Sequence, residues 1–112
     1  MKLTDLEKDV MLEFFNDKQI DTAELFKSLD EIEVLTRDVA GTGFFTKLER
    51  HPCLRVGPSD LKYTGGGADG YINRDKIKVG FLFYIEEGYI TAFEGHTYGE
   101  LWPSEIECYG ID

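Results

Sequence analysis

Leu6, Val10 and Phe14 recur at i, i+4 and i+8, with Leu3 and Met11 beside them, which is the stripe of a helix lying on a core. Thr4-Asp5-Leu6-Glu7 precedes it with capping-box spacing, Thr4 as N-cap and Glu7 three residues on, and Asn16-Asp17 ends it. A second start follows. Asp21 is placed to cap, Glu24 stands three residues later, and Ile20 can staple onto Leu25. Leu25, Phe26 and Leu29 form the expected apolar side, so the pattern predicts two helices joined as a hairpin.

From Glu31 the period falls to two. Residues 31–39 read as a strand with Ile32 and Val34 inward, and residues 44–50 as its antiparallel partner with Phe44, Thr46 and Leu48 on one face. Residues 51–67 read as a long irregular loop, because Pro52 and Pro58 remove donors and Gly65-Gly66-Gly67 add freedom. Ala68 to Asn73 reads as a short strand. The pattern is strongest at Val79–Ile85 and Tyr89–Glu94, aromatic and β-branched arms around Glu86-Glu87-Gly88. With Glu87-Gly88 as an exposed two-residue turn, Glu86 faces Tyr89, Ile85 faces Ile90 and Phe83 faces Ala92. Phe81, Phe83, Ile85, Ile90 and Ala92 then point to the core, while Leu82, Tyr84, Tyr89, Thr91 and Phe93 lie on the opposite face. The segment from Gly95 on is expected to be irregular, packed by Tyr98, Leu101 and Trp102. The expected fold is a single α+β domain over residues 1–112. Its two N-terminal helices pack on one face of an antiparallel sheet of four or five strands.

Charge narrows the function classes. Residues 1–39 carry 11 acids and 5 bases, residues 40–80 carry 4 acids and 7 bases, and residues 81–112 carry 7 acids and no base. A net charge of −10 repels phosphates, so nucleic acid and anionic membrane surfaces are not expected partners, whereas a basic protein is. No apolar run approaches the roughly 20 residues of a membrane helix. The first residues contain no signal-like apolar core, and the two cysteines, Cys53 and Cys108, lie far apart. Reduced thiols in a cytoplasmic protein are expected.

Candidate chemistry is sparse. Gly65–Gly70 lacks the Lys-Ser/Thr of a phosphate loop. His51, Cys53, His96 and Cys108 lack a usual zinc spacing, and a Cys53 nucleophile needs a histidine that spacing does not supply. Glu94-Gly95-His96-Thr97-Tyr98-Gly99-Glu100-Leu101-Trp102-Pro103 is the most site-like stretch, with two carboxylates, an imidazole, a phenol and an indole. Glu94 and His96 have the groups of an acid–base pair, but tight bends and ring packing are the first expectation, and of the functional uses a binding surface is expected ahead of catalysis. No catalytic residue, metal or cofactor is expected. The expected partner-binding residues are Glu86, Glu87, Glu94, His96, Tyr98, Glu100 and Trp102.

Gly41-Thr42-Gly43-Phe44-Phe45-Thr46, Gly80–Ile85 and Glu94–Pro103 together resemble a group of small bacterial proteins that share GFFT-type and EGxTYGExWP-type phrases. The resemblance spans most of residues 30–103 and implies no reaction, cofactor or catalytic residue. In size, acidity and lack of a catalytic signature the chain is also similar to immunity proteins of bacterial toxin systems. That likeness implies a non-catalytic protein covering a basic toxin domain. A small enzyme using Glu94 to Trp102, and a homodimeric module joined through a strand edge, are the competing expectations.

Overall fold

A computed structural model describes the whole chain, residues 1–112. Two helices, α1 (Asp5–Asp17) and α2 (Ala23–Ser28), precede β1 (Val34–Ala40), β2 (Gly43–Leu48), β3 (Tyr63–Ile72), β4 (Ile77–Glu86), β5 (Tyr89–Thr97) and β6 (Tyr109–Ile111). The strands form one antiparallel sheet in the order β1-β2-β5-β4-β3-β6. The fold is α+β, but with six strands where four or five were expected. The additional strand is β6, three residues that pair with Gly70–Ile72, too short to show an alternation of their own. No helix is long and apolar enough to cross a membrane.

The capping box of α1 forms. Thr4 Oγ1 accepts from the Glu7 amide at 3.2 Å, and Glu7 Oε1 accepts from the Thr4 amide at 2.8 Å. The helix buries Val10, Met11, Phe14 and Phe15, and Phe14 stacks on Phe83 of β4 at 4.1 Å. In α2, Leu25 is fully buried, but Phe26 is 70% exposed, against expectation. Six residues present only a narrow buried face, and Phe26 is turned about 100° from Leu25.

The central hairpin closes as expected at Glu87 (φ +52°) and Gly88 (φ +82°), both left-handed as a primed turn requires. Glu86 faces Tyr89 and Ile85 faces Ile90. Thr91 then bulges, so Tyr84 faces Ala92 and Phe83 faces Phe93. The expected Phe83–Ala92 pairing and the outward Phe93 are therefore corrected. The bulge turns Phe93 to the helix side and sets Ala92 beside Lys47 and Tyr84 on the other face, where it is still buried. Nor is Gly88 exposed. The loop after β2 folds over the turn, with the Val56 amide donating to Gly88 O at 2.8 Å and the Gly88 amide to Leu61 O at 3.1 Å. Arg50 and Arg55 stack on Tyr89 of the same hairpin, with centroid distances of 4.6 and 5.8 Å.

Gly65-Gly66-Gly67 belongs to β3 and not to a loop. A Cβ on Gly67 would lie 2.1 Å from Phe14 Cδ1, so the glycine lets α1 approach the strand. Gly67 is also the extra residue where the pairing shifts between Gly66 and Ala68. Gly67→Ala is expected to cost about 1–3 kcal/mol by overpacking, measured by urea unfolding. A neutral result would mean that the Phe14 ring gives way.

Cys53 is buried and Cys108 exposed, and they are not bonded to each other. Burial, with help from Glu31, pushes the Cys53 thiol up to about 11. Alkylation at neutral pH is expected to modify Cys108 well before Cys53. Equal rates in a peptide-resolved mass measurement would contradict this placement.

Candidate interaction face

The sheet has two unlike faces. Phe44, Thr46, Phe81, Phe83 and Phe93 point inward beneath the helices. On the other face the cross-strand register sets Asp38, Phe45, Glu94 and Leu82 in one row. Ala40, Gly43, His96, Gly80 and Asp69 form the next. No helix packs on this second face. Phe45, Leu82 and Tyr84 are half-buried there, while Asp38, Asp69 and Tyr98 are exposed.

Both cross-strand neighbours of His96 are glycines, Gly43 and Gly80. Gly80 is where the His96 ring and the Tyr98 hydroxyl lean over the sheet, since a Cβ there would meet Tyr98 Oη at 2.6 Å. The His96 and Tyr98 rings meet edge-on at 5.2 Å. A depression of about 270 Å³ opens on one side, walled by Asp38, Phe45, Glu94 and His96. On the other side, His96, Tyr98, Leu82 and Asp69 border a larger one of about 490 Å³ that runs round the edge of the sheet to Glu13 and Asp17 of α1. Tyr84 donates its hydroxyl to Glu94 Oε1 at 2.6 Å, which raises the phenol above its ordinary pKa of 10.0, and the Phe45 ring stands edge-on to Tyr84 at 5.5 Å.

Of the residues singled out from the sequence, Glu94, His96 and Tyr98 come together on this face. Glu86 points the same way from the hairpin end. Glu87 pairs with Arg50 at 3.2 Å in solvent, and Glu100 is exposed beyond β5, its carbonyl accepting from the Thr97 hydroxyl. The hairpin glutamates and Glu100 sit at opposite ends of β5, roughly 27 Å apart along a nine-residue strand. Trp102 lies on the helix side, edge-on to Phe44 at 5.0 Å. Tyr98 and Leu101 are exposed, so of the three residues expected to pack the tail only Trp102 does.

Sequence reading missed Asp38 and Asp69, which only strand register brings beside His96. The alternation had set Leu82 and Tyr84 on this face but gave no reason to join Phe45 to them. His51 and Cys53 are neighbours, the Cys53 amide donating to His51 Nδ1 at 3.0 Å, whereas His96 lies on the open face and Cys108 just before β6. These four do not form one cluster. No family model matches the chain, and neither do curated proteins or solved structures.

Proposed function

We propose that the protein is a non-catalytic binding protein that docks a basic protein surface on the open face of its sheet, as an immunity protein would cover a basic toxin domain. The observation that supports this best is the face itself. It sets aromatic and aliphatic side chains among the carboxylates of Asp38, Asp69 and Glu94, in a chain of net charge −10. Half-buried Phe45, Leu82 and Tyr84 offer contact area, and the carboxylates choose the sign of the partner. Lys47 and Lys78 on the same face give the partner an orientation.

Affinity capture from the native host, followed by measurement of the captured protein's on-rate against salt, tests the proposal. The on-rate should fall as ionic strength rises, because screening acts over a Debye length of about 8–10 Å. Glu86→Lys with Glu87→Lys, at the rim, should slow association and leave stability nearly unchanged. Asp38→Lys with Asp69→Lys, inside the face, should speed dissociation. An acidic partner, or an on-rate indifferent to salt, would overturn the proposal.

One observation favours a second reading. Beyond Val34, whose amide and carbonyl bond to Met1, the outer edge of β1 is unpaired, and Leu35 and Val39 on that strand are exposed. Pairing of two copies through this edge would make a homodimer. Sedimentation equilibrium, with Val39→Lys as the control, tests it.

A further inference from the structure

On the helix side of the sheet, away from the open face, the first turn of α1 and the chain after β5 leave a cleft of about 530 Å³. Its walls are Leu6, Val39, Phe44, Trp102 and Ile106, and its polar groups include Glu7 and Arg37. A volume of roughly 300–1,000 Å³ with mostly apolar walls and a few polar groups is the usual form of a small-molecule site. Val39 points to the helix side yet is 58% exposed, so the cleft is open where a core would be closed.

The polar groups select the ligand. Both oxygens of Glu7 are already taken, Oε1 by the Thr4 amide and Arg37, Oε2 by the Thr46 hydroxyl at 2.7 Å and Arg37 Nε at 3.0 Å. Arg37 spends Nε and Nη2 on Glu7 and on the carbonyl of Lys2, while Nη1 has only the Met1 thioether, at 3.2 Å. A thioether is a weak acceptor, and Nη1 carries two N–H groups, so a hydrogen-bond donor is left over. The pair is neutral as a unit. An anion entering the cleft would lose its hydration and gain no net counter-charge, whereas a neutral carbonyl loses much less.

We propose that this cleft binds a small, neutral, largely apolar molecule that presents one carbonyl oxygen to Arg37. The proposal does not depend on the basic-partner reading, since it concerns the other side of the sheet. The probe is benzamide, titrated into ¹⁵N-labelled protein, with benzoate as the charged isostere. Trp102 is the only tryptophan, so its indole N–H gives one assignable signal. Benzamide should shift that signal and the amides of Val39, Phe44 and Ile106 saturably, and benzoate should bind about tenfold more weakly. Val39→Phe and Ser104→Phe fill the cleft from two exposed walls, leaving Trp102 the only indole, and each should abolish the shifts while preserving the rest of the spectrum. Either variant suffices if the other fails to fold. Shifts that map elsewhere, that survive the filling variants, that are equal for benzoate, or that do not occur at all would overturn the proposal.

Discussion

Arg37→Ala is expected to lower the free energy of unfolding by about 3–5 kcal/mol, the cost of breaking a buried ion pair from one side. The size comes from the residue left behind. Glu7 is 2% exposed, and its carboxylate would keep the Thr4 amide and Thr46 hydroxyl but lose the only cation beside it. The opposite change should cost less. The Arg37 side chain is 22% exposed, so in Glu7→Ala its guanidinium can turn to water. The double variant Glu7→Leu with Arg37→Met should recover most of the loss, because an apolar pair carries no desolvation cost. Urea unfolding of the four proteins gives the cycle directly. A loss below about 1 kcal/mol for Arg37→Ala would mean that water reaches Glu7, and that the pair contributes no more than a surface bridge.

Glu7 shows what the sequence could and could not reveal. Its part in the capping box is local, a spacing of three residues, and was legible. Its partner lies 30 residues away on β1, and no spacing rule connects them. The inward position of Arg37 was hidden as well, because the pairing of β1 with β2 shifts at Leu35. Regular alternation from Val34 would have turned Thr36 and Asp38 inward. The shift instead turns Arg37 and Val39 in and leaves Asp38 on the open face. Thr91 and Gly67 act the same way on β5 and β3, and one inserted residue reverses every side chain beyond it. The misread strand faces thus have one physical cause. Bulges depend on what a strand meets across the sheet, which a linear pattern does not contain. The candidate interaction face divides along the same line. Glu94, His96 and Tyr98 are close in sequence and could be read together, whereas Asp38 and Asp69 join them only through register.

Phe83→Ala and Phe93→Ala should each cost about 3–5 kcal/mol, as large-to-small changes in a closed core. Phe83 is fully buried between Phe14, stacked at 4.1 Å, and Phe93, stacked at 5.5 Å. Its loss forfeits the apolar area that the ring keeps from water and both ring contacts, each worth about 0.5–1.5 kcal/mol beyond that area. The helix above cannot settle into the space, because Gly67 already holds Phe14 as close to the sheet as a Cα allows. Phe93→Ala is the more telling experiment. In an unbulged hairpin Phe93 would lie on the open face, and its truncation would cost little. With Thr91 bulged it is fully buried, edge-on to Phe44 at 6.1 Å as well as stacked on Phe83. Urea unfolding that gave a loss under about 1 kcal/mol for Phe93→Ala would exclude the bulged register. It would also turn Ala92 to the helix side and change which side chains flank Tyr84 and Glu94 on the face proposed for the partner.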